Sequence, residues 1–90
     1  MSVSRTVLIT NKRGLHARAS AKFVTMASGL GTVVEVEKDG SKVVGTSIMG
    51  LMMLGAAMGD EIVISAVGDG ADAAVGSLAD LVEAKFHESE

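Results

Sequence analysis

Asp39-Gly40 constrains this chain more than any other pair of neighbours. Residues 32–38 place Val34 and Val36 on one face and Glu35 and Glu37 on the other, the period-2 pattern of a half-buried strand. Asp39-Gly40 then suits a two-residue type I′ turn, whose central positions both need φ > 0. Ser41–Val44 is the returning strand. A hairpin with one apolar face must be covered, and the rest of the chain alternates strand-like and helix-like runs that can cover it.

Residues 3–10 alternate loosely, with Val7 and Ile9 on one face and Thr6, Leu8 and Thr10 on the other, which predicts a first strand. Residues 60–67 are the most β-like run, with Ile62, Ile64 and Ala66 sharing a face. In Ala17–Ser28, Ala19, Phe23, Met26 or Ala27, and then Leu30 recur at helical spacing, and Gly29 and Gly31 are stop signals. Gly45-Thr46-Ser47 breaks the hairpin strand, and Ser47 or Thr46 can cap a short helix over 48–54. After the turn Gly68-Asp69-Gly70, a stripe of Ala71, Ala74 or Val75, Leu78, Leu81 or Val82, and Phe86 predicts a helix running to the C-terminus. The order β-α-β-β-α-β-α over residues 1–90 predicts one domain, a sheet with helices stacked on one side.

Composition narrows the function. Eight Lys and Arg against eleven Asp and Glu give a net charge of −3, and Phe23 and Phe86 are the only aromatic residues. Neither a basic footprint nor a base-stacking platform is present, which argues against nucleic-acid binding. The absence of Cys removes a disulfide framework and a thiolate metal site, and His16 and His87 alone cannot form a multi-histidine centre. The longest apolar run, residues 48–58, is broken by Gly50 and Gly55 and falls short of the roughly 20 residues of a membrane span. With no apolar signal core at the N-terminus, the expectation is a cytoplasmic monomer with no cofactor, no metal and no membrane contact.

Three features carry possible chemistry. Gly14-Leu15-His16-Ala17-Arg18-Ala19-Ser20 ends a strand and opens a helix, so a histidine stands near a helix N-terminus two residues from an arginine. Imidazole titrates near pH 6.5, and the N-terminal field favours its neutral, nucleophilic form. The same field, with the free N–H groups of Ala17, Arg18 and Ala19 and the Arg18 guanidinium, suits a phosphoryl group carried on His16. Taken alone, His16 also reads as a solvated surface residue. Ser47 reads as an N-cap or as a phosphorylation site at a helix start that tolerates the added charge. Ile48, Met49, Leu51, Met52, Met53 and Leu54 are too many apolar side chains for one short helix to bury. Some belong to the core, and the others would form an adaptable docking surface. No second acid–base residue is clearly paired with His16, and no glycine-rich nucleotide loop is present, which argues against a true enzyme.

With these residues in view, the chain resembles the HPr family, the histidine-containing phosphocarriers of the bacterial phosphotransferase system. Gly14-Leu15-His16-Ala17-Arg18 matches the family's active-site motif. Ser47-Ile48-Met49-Gly50-Leu51-Met52 matches its regulatory-serine motif, continued by Leu54-Gly55 and Gly59-Asp60-Glu61. The resemblance implies an α+β open-faced β-sandwich, a four-stranded antiparallel sheet with three helices on one face. It implies that His16 accepts a phosphoryl group on Nδ1 from phosphorylated enzyme I, charged by phosphoenolpyruvate. His16 would then pass the group to a histidine of an enzyme IIA domain. Arg18 would stabilise the phosphohistidine, and an HPr kinase/phosphorylase would modify Ser47. Ile48, Met49 and Met52 would dock the partners.

Two departures from the family pattern stand out. Ala19 replaces the usual proline after the arginine, which restores an N–H and removes a fixed φ. The first helix carries few lysines beyond Lys22, so steering towards an acidic partner is weaker. These features leave two alternatives: a regulatory, nitrogen-type phosphocarrier, and a phosphoserine-dependent effector without sugar transport.

Overall fold

In the computed structural model, which describes residues 2–88, the chain runs β1 (Ser2–Leu8), α1 (Ala17–Ser28), β2 (Val34–Lys38), β3 (Ser41–Val44), α2 (Ile48–Met53), β4 (Glu61–Val67) and α3 (Ala71–Glu83). The four strands form one antiparallel sheet in the order β1-β4-β2-β3. Register follows the apolar pattern: Val7 stands opposite Ile62 and Val36 opposite Ile64, so their side chains point to one face. Phe23 of α1, Leu51 of α2 and Leu78 and Val82 of α3 are fully buried against that face. The other face carries exposed Thr6, Leu8, Glu35 and Glu61. The result is the open-faced sandwich, three helices over one side of a four-stranded sheet.

The hairpin turn takes left-handed φ at Asp39 (50°) and Gly40 (84°), as a type I′ turn requires. The first strand ends at Leu8 rather than at residue 10, although Ile9 N still donates to Asp60 O at 2.8 Å and Ile9 O accepts from Gly59 N. The strand before the hairpin starts at Val34 rather than at residue 32, and Val33 just before it is 74% exposed. The second helix ends one residue early, at Met53, and β4 begins at Glu61.

The larger correction lies at the C-terminal end. The helical stripe does not continue to Phe86. The helix α3 stops at Glu83, and Lys85, Phe86 and His87 take left-handed φ of 57°, 55° and 58°. Phe86 is fully buried all the same, because the reversed chain folds it back into the core. Lys22 of α1 fixes this turn by donating from Nζ to Phe86 O at 2.7 Å.

Candidate functional site

His16 is the N-cap of α1. Its backbone is extended (φ −72°, ψ 179°), and its carbonyl accepts the first bond of the helical ladder, from Ser20 N at 2.9 Å. The N–H groups of Ala17, Arg18 and Ala19 precede that ladder and point out of the helix end. One of them is already directed at the imidazole: Arg18 N donates to His16 Nδ1 at 3.3 Å. The Arg18 guanidinium is exposed and, among the described residues, forms no ion pair. Ala17 is exposed, whereas Ala19 is fully buried and roots the first turn in the core.

The loop before His16 is held on two sides. Gly14 takes φ of +63° and presses against the segment after α2. An ideal Cβ there would stand 2.3 Å from Ala56 O and 2.8 Å from Ala57 Cα. Leu15 N donates to Ala56 O at 3.0 Å. From below, the buried side chain of Ser20 donates from Oγ to Leu15 O at 3.1 Å, a bracing role that the sequence did not suggest.

The sequence also gave no sign of an acid–base partner for His16, and here the structure corrects the reading. Glu88 Oε2 pairs with His16 Nε2. Its other oxygen, Oε1, accepts from Asn11 Nδ2 at 2.9 Å, and the same Nδ2 donates to Gly14 O at 2.9 Å. Asn11 is fully buried, and the His16 and Glu88 side chains are only 14% and 12% exposed. Burial pushes the Glu88 carboxyl up. The hydrogen bonds from Asn11 and His16, with the electrostatic attraction of His16 and Lys22, outweigh it and hold the carboxyl below its ordinary range.

Ser47 caps α2: its Oγ accepts from Gly50 N at 2.9 Å. No hydrogen bond among the described residues joins Ser47 to His16, but α1 packs against α2, so both belong to one side of the molecule. Leu51 and Leu54 point into the core. Ile48, Met49, Met52 and Met53 remain outside it, with Met49 72% and Met53 81% exposed. The short helix therefore divides its apolar residues between core and surface. Met53 and Met58 extend the exposed group beyond the three positions singled out from the sequence.

The sequence profile described as "PTS HPr component phosphorylation site" matches residues 3–84. The phosphocarrier protein HPr of Neisseria meningitidis serogroup A is 49% identical, covering 98% of this chain and 99% of that protein. The phosphocarrier protein NPr of Shewanella violacea is 39% identical, covering 97% of this chain and 96% of that one. A crystal structure of HPr from Thermoanaerobacter tengcongensis superposes with a TM-score of 0.91 at 45% identity, covering 98% of this chain and 99% of the other. Fold and matches together define a phosphocarrier protein. The chain belongs to the HPr family of the phosphotransferase system.

Proposed function

We propose that His16 carries the phosphoryl group, on Nδ1, between phosphorylated enzyme I and an enzyme IIA domain. The observation that supports this most directly is the split of the imidazole between two environments. Nε2 faces a carboxylate, and Nδ1 faces the N-terminal end of α1, where Arg18 N already donates to it. A backbone N–H can only donate, so Nδ1 holds a lone pair, which is the form that attacks phosphorus. In the transfer, the Nδ1 lone pair forms the new N–P bond. The donor's N–P bond breaks, and its electron pair returns to the donor ring. The phosphoryl oxygens then meet the N–H groups of Ala17, Arg18 and Ala19 at the helix start, the helix field and the Arg18 guanidinium.

Ile48, Met49 and Met52 form the docking face, beside the loop that carries His16, so that one surface serves donor and acceptor in turn. An HPr kinase/phosphorylase modifies Ser47 in this reading. The added charge at the start of α2 changes the face presented to enzyme I while the capping geometry persists. The relay operates in the cytoplasm. Similarity to a phosphocarrier named NPr supports a second reading, in which the same chemistry serves a regulatory, nitrogen-type branch.

Intact-mass measurement with phosphoenolpyruvate and enzyme I tests the main reading. Wild type should gain one acid-labile phosphoryl group, and His16→Ala should gain none. Phosphorylation of the alanine variant to the same extent would overturn it.

A further inference from the structure

We propose that Glu88 is a positioning residue for His16: its carboxylate, held by Asn11, accepts a hydrogen bond from the Nε2–H of the imidazole and keeps the lone pair on Nδ1, facing the start of α1. The proposal rests on the reading of His16 as the phosphoryl acceptor. Its geometry is independent of that reading.

A neutral imidazole has one ring proton and one lone pair. An ionised carboxylate only accepts, so the nitrogen facing Glu88 Oε2 must carry the proton. A backbone N–H only donates, so the nitrogen facing Arg18 N must not carry one. The two contacts require the same tautomer from opposite sides of the ring. The Asn11 amide fixes the second carboxylate oxygen and, through Gly14 O, ties it to the loop that carries His16. Glu88, from a distant part of the chain, and Asn11 and Arg18 N beside His16 thus set the orientation of one ring, the logic by which a buried carboxylate orients the histidine of a catalytic triad.

The turn after α3 delivers the carboxylate. Three consecutive residues other than glycine in left-handed conformation are unfavourable, and such strain persists only where the surroundings impose it. Here the buried Phe86 ring, the Lys22 bond to Phe86 O, and the turn bonds His87 N to Ala84 O and Glu88 N to Lys85 O all impose it.

During transfer no proton needs to leave His16. Nδ1 gains phosphorus, the proton stays on Nε2 with its hydrogen bond to Glu88, and the ring acquires positive charge beside the carboxylate. Onward transfer reverses the charge change: the N–P electron pair returns to Nδ1 as the acceptor histidine bonds to phosphorus.

The test compares wild type, Glu88→Ala and Glu88→Gln by two readouts. Ring ¹⁵N spectra of the free protein, which involve no phosphoryl transfer, should show a protected Nε2–H in wild type and its loss in Glu88→Ala. Transfer from phosphorylated enzyme I should fall about tenfold or more in rate at saturation for Glu88→Ala. KM should hold, and Glu88→Gln, which keeps an acceptor without the charge, should recover part of the rate. An unprotected ring in wild type, or equal rates in wild type and Glu88→Ala, would overturn the positioning role. If wild type itself takes up no phosphoryl group while its Nε2–H is protected, the carrier reading of His16 fails, and with it the use assigned to Glu88.

Discussion

The backbone of Gly14 lies so close to Ala56 that an added Cβ would stand 2.3 Å from its carbonyl oxygen, at a residue whose φ is +63°. Both conditions select glycine, and both fix where the next residue but one, His16, can stand. Gly14→Ala should therefore lose on the order of 2 kcal/mol or more, from left-handed strain plus displacement of the Ala56-Ala57 segment. Urea denaturation measures this. A variant as stable as wild type would show that the contact yields freely.

Ser47 separates a capping role from a charge role. Ser47→Ala removes the acceptor for Gly50 N and should cost about 1 kcal/mol. Ser47→Asp keeps a good cap and should stay within about 0.5 kcal/mol of wild type. If modification acts through the surface, the aspartate variant should also accept phosphoryl more slowly from enzyme I. Thermal melts and single-turnover transfer read the two effects separately.

Met49 is 72% exposed, so it contributes little to the core. Met49→Asp should leave stability within about 0.5 kcal/mol and raise the KM for enzyme I by interrupting an apolar docking face. An unchanged KM would place the docking surface elsewhere.

The Glu88 carboxyl, held below its ordinary range, gives a pH signature with a definite sign. A depressed folded-state pKa means that the unfolded chain takes up the proton first as pH falls. The stabilisation is therefore complete above the ordinary carboxylate pKa of about 4.3. It is lost as pH drops through the lower folded-state value. The melting-temperature gap between wild type and Glu88→Ala should be steady above about pH 5 and shrink below it. A gap that widens on acidification would contradict the assignment.

Local signals made most of the fold legible. Ala17–Ser28 and Ser41–Val44 match the bounds read from the sequence, because period, turn residues and caps agree there. The same reasoning misread Phe86. Its spacing from Val82 continues the helical stripe, and no glycine or proline marks the break after Glu83. Its burial is tertiary, supplied by a reversed turn and by Lys22 from another helix. The candidate site divides in the same way. His16, Arg18 and the cap geometry were readable from a strand-to-helix junction. Glu88 lies 72 positions from His16 and Asn11 77 from Glu88. No spacing rule connects residues so far apart, and only the folded turn brings them together.

The most direct test of the central claim is a ³¹P–¹⁵N correlation spectrum of the protein labelled with ¹⁵N-histidine and phosphorylated by enzyme I and phosphoenolpyruvate. Phosphorus should couple to one nitrogen only, Nδ1 of His16. Coupling to Nε2 of His16, or to either nitrogen of His87, would contradict the assignment of Nδ1 as the phosphoryl-bearing atom.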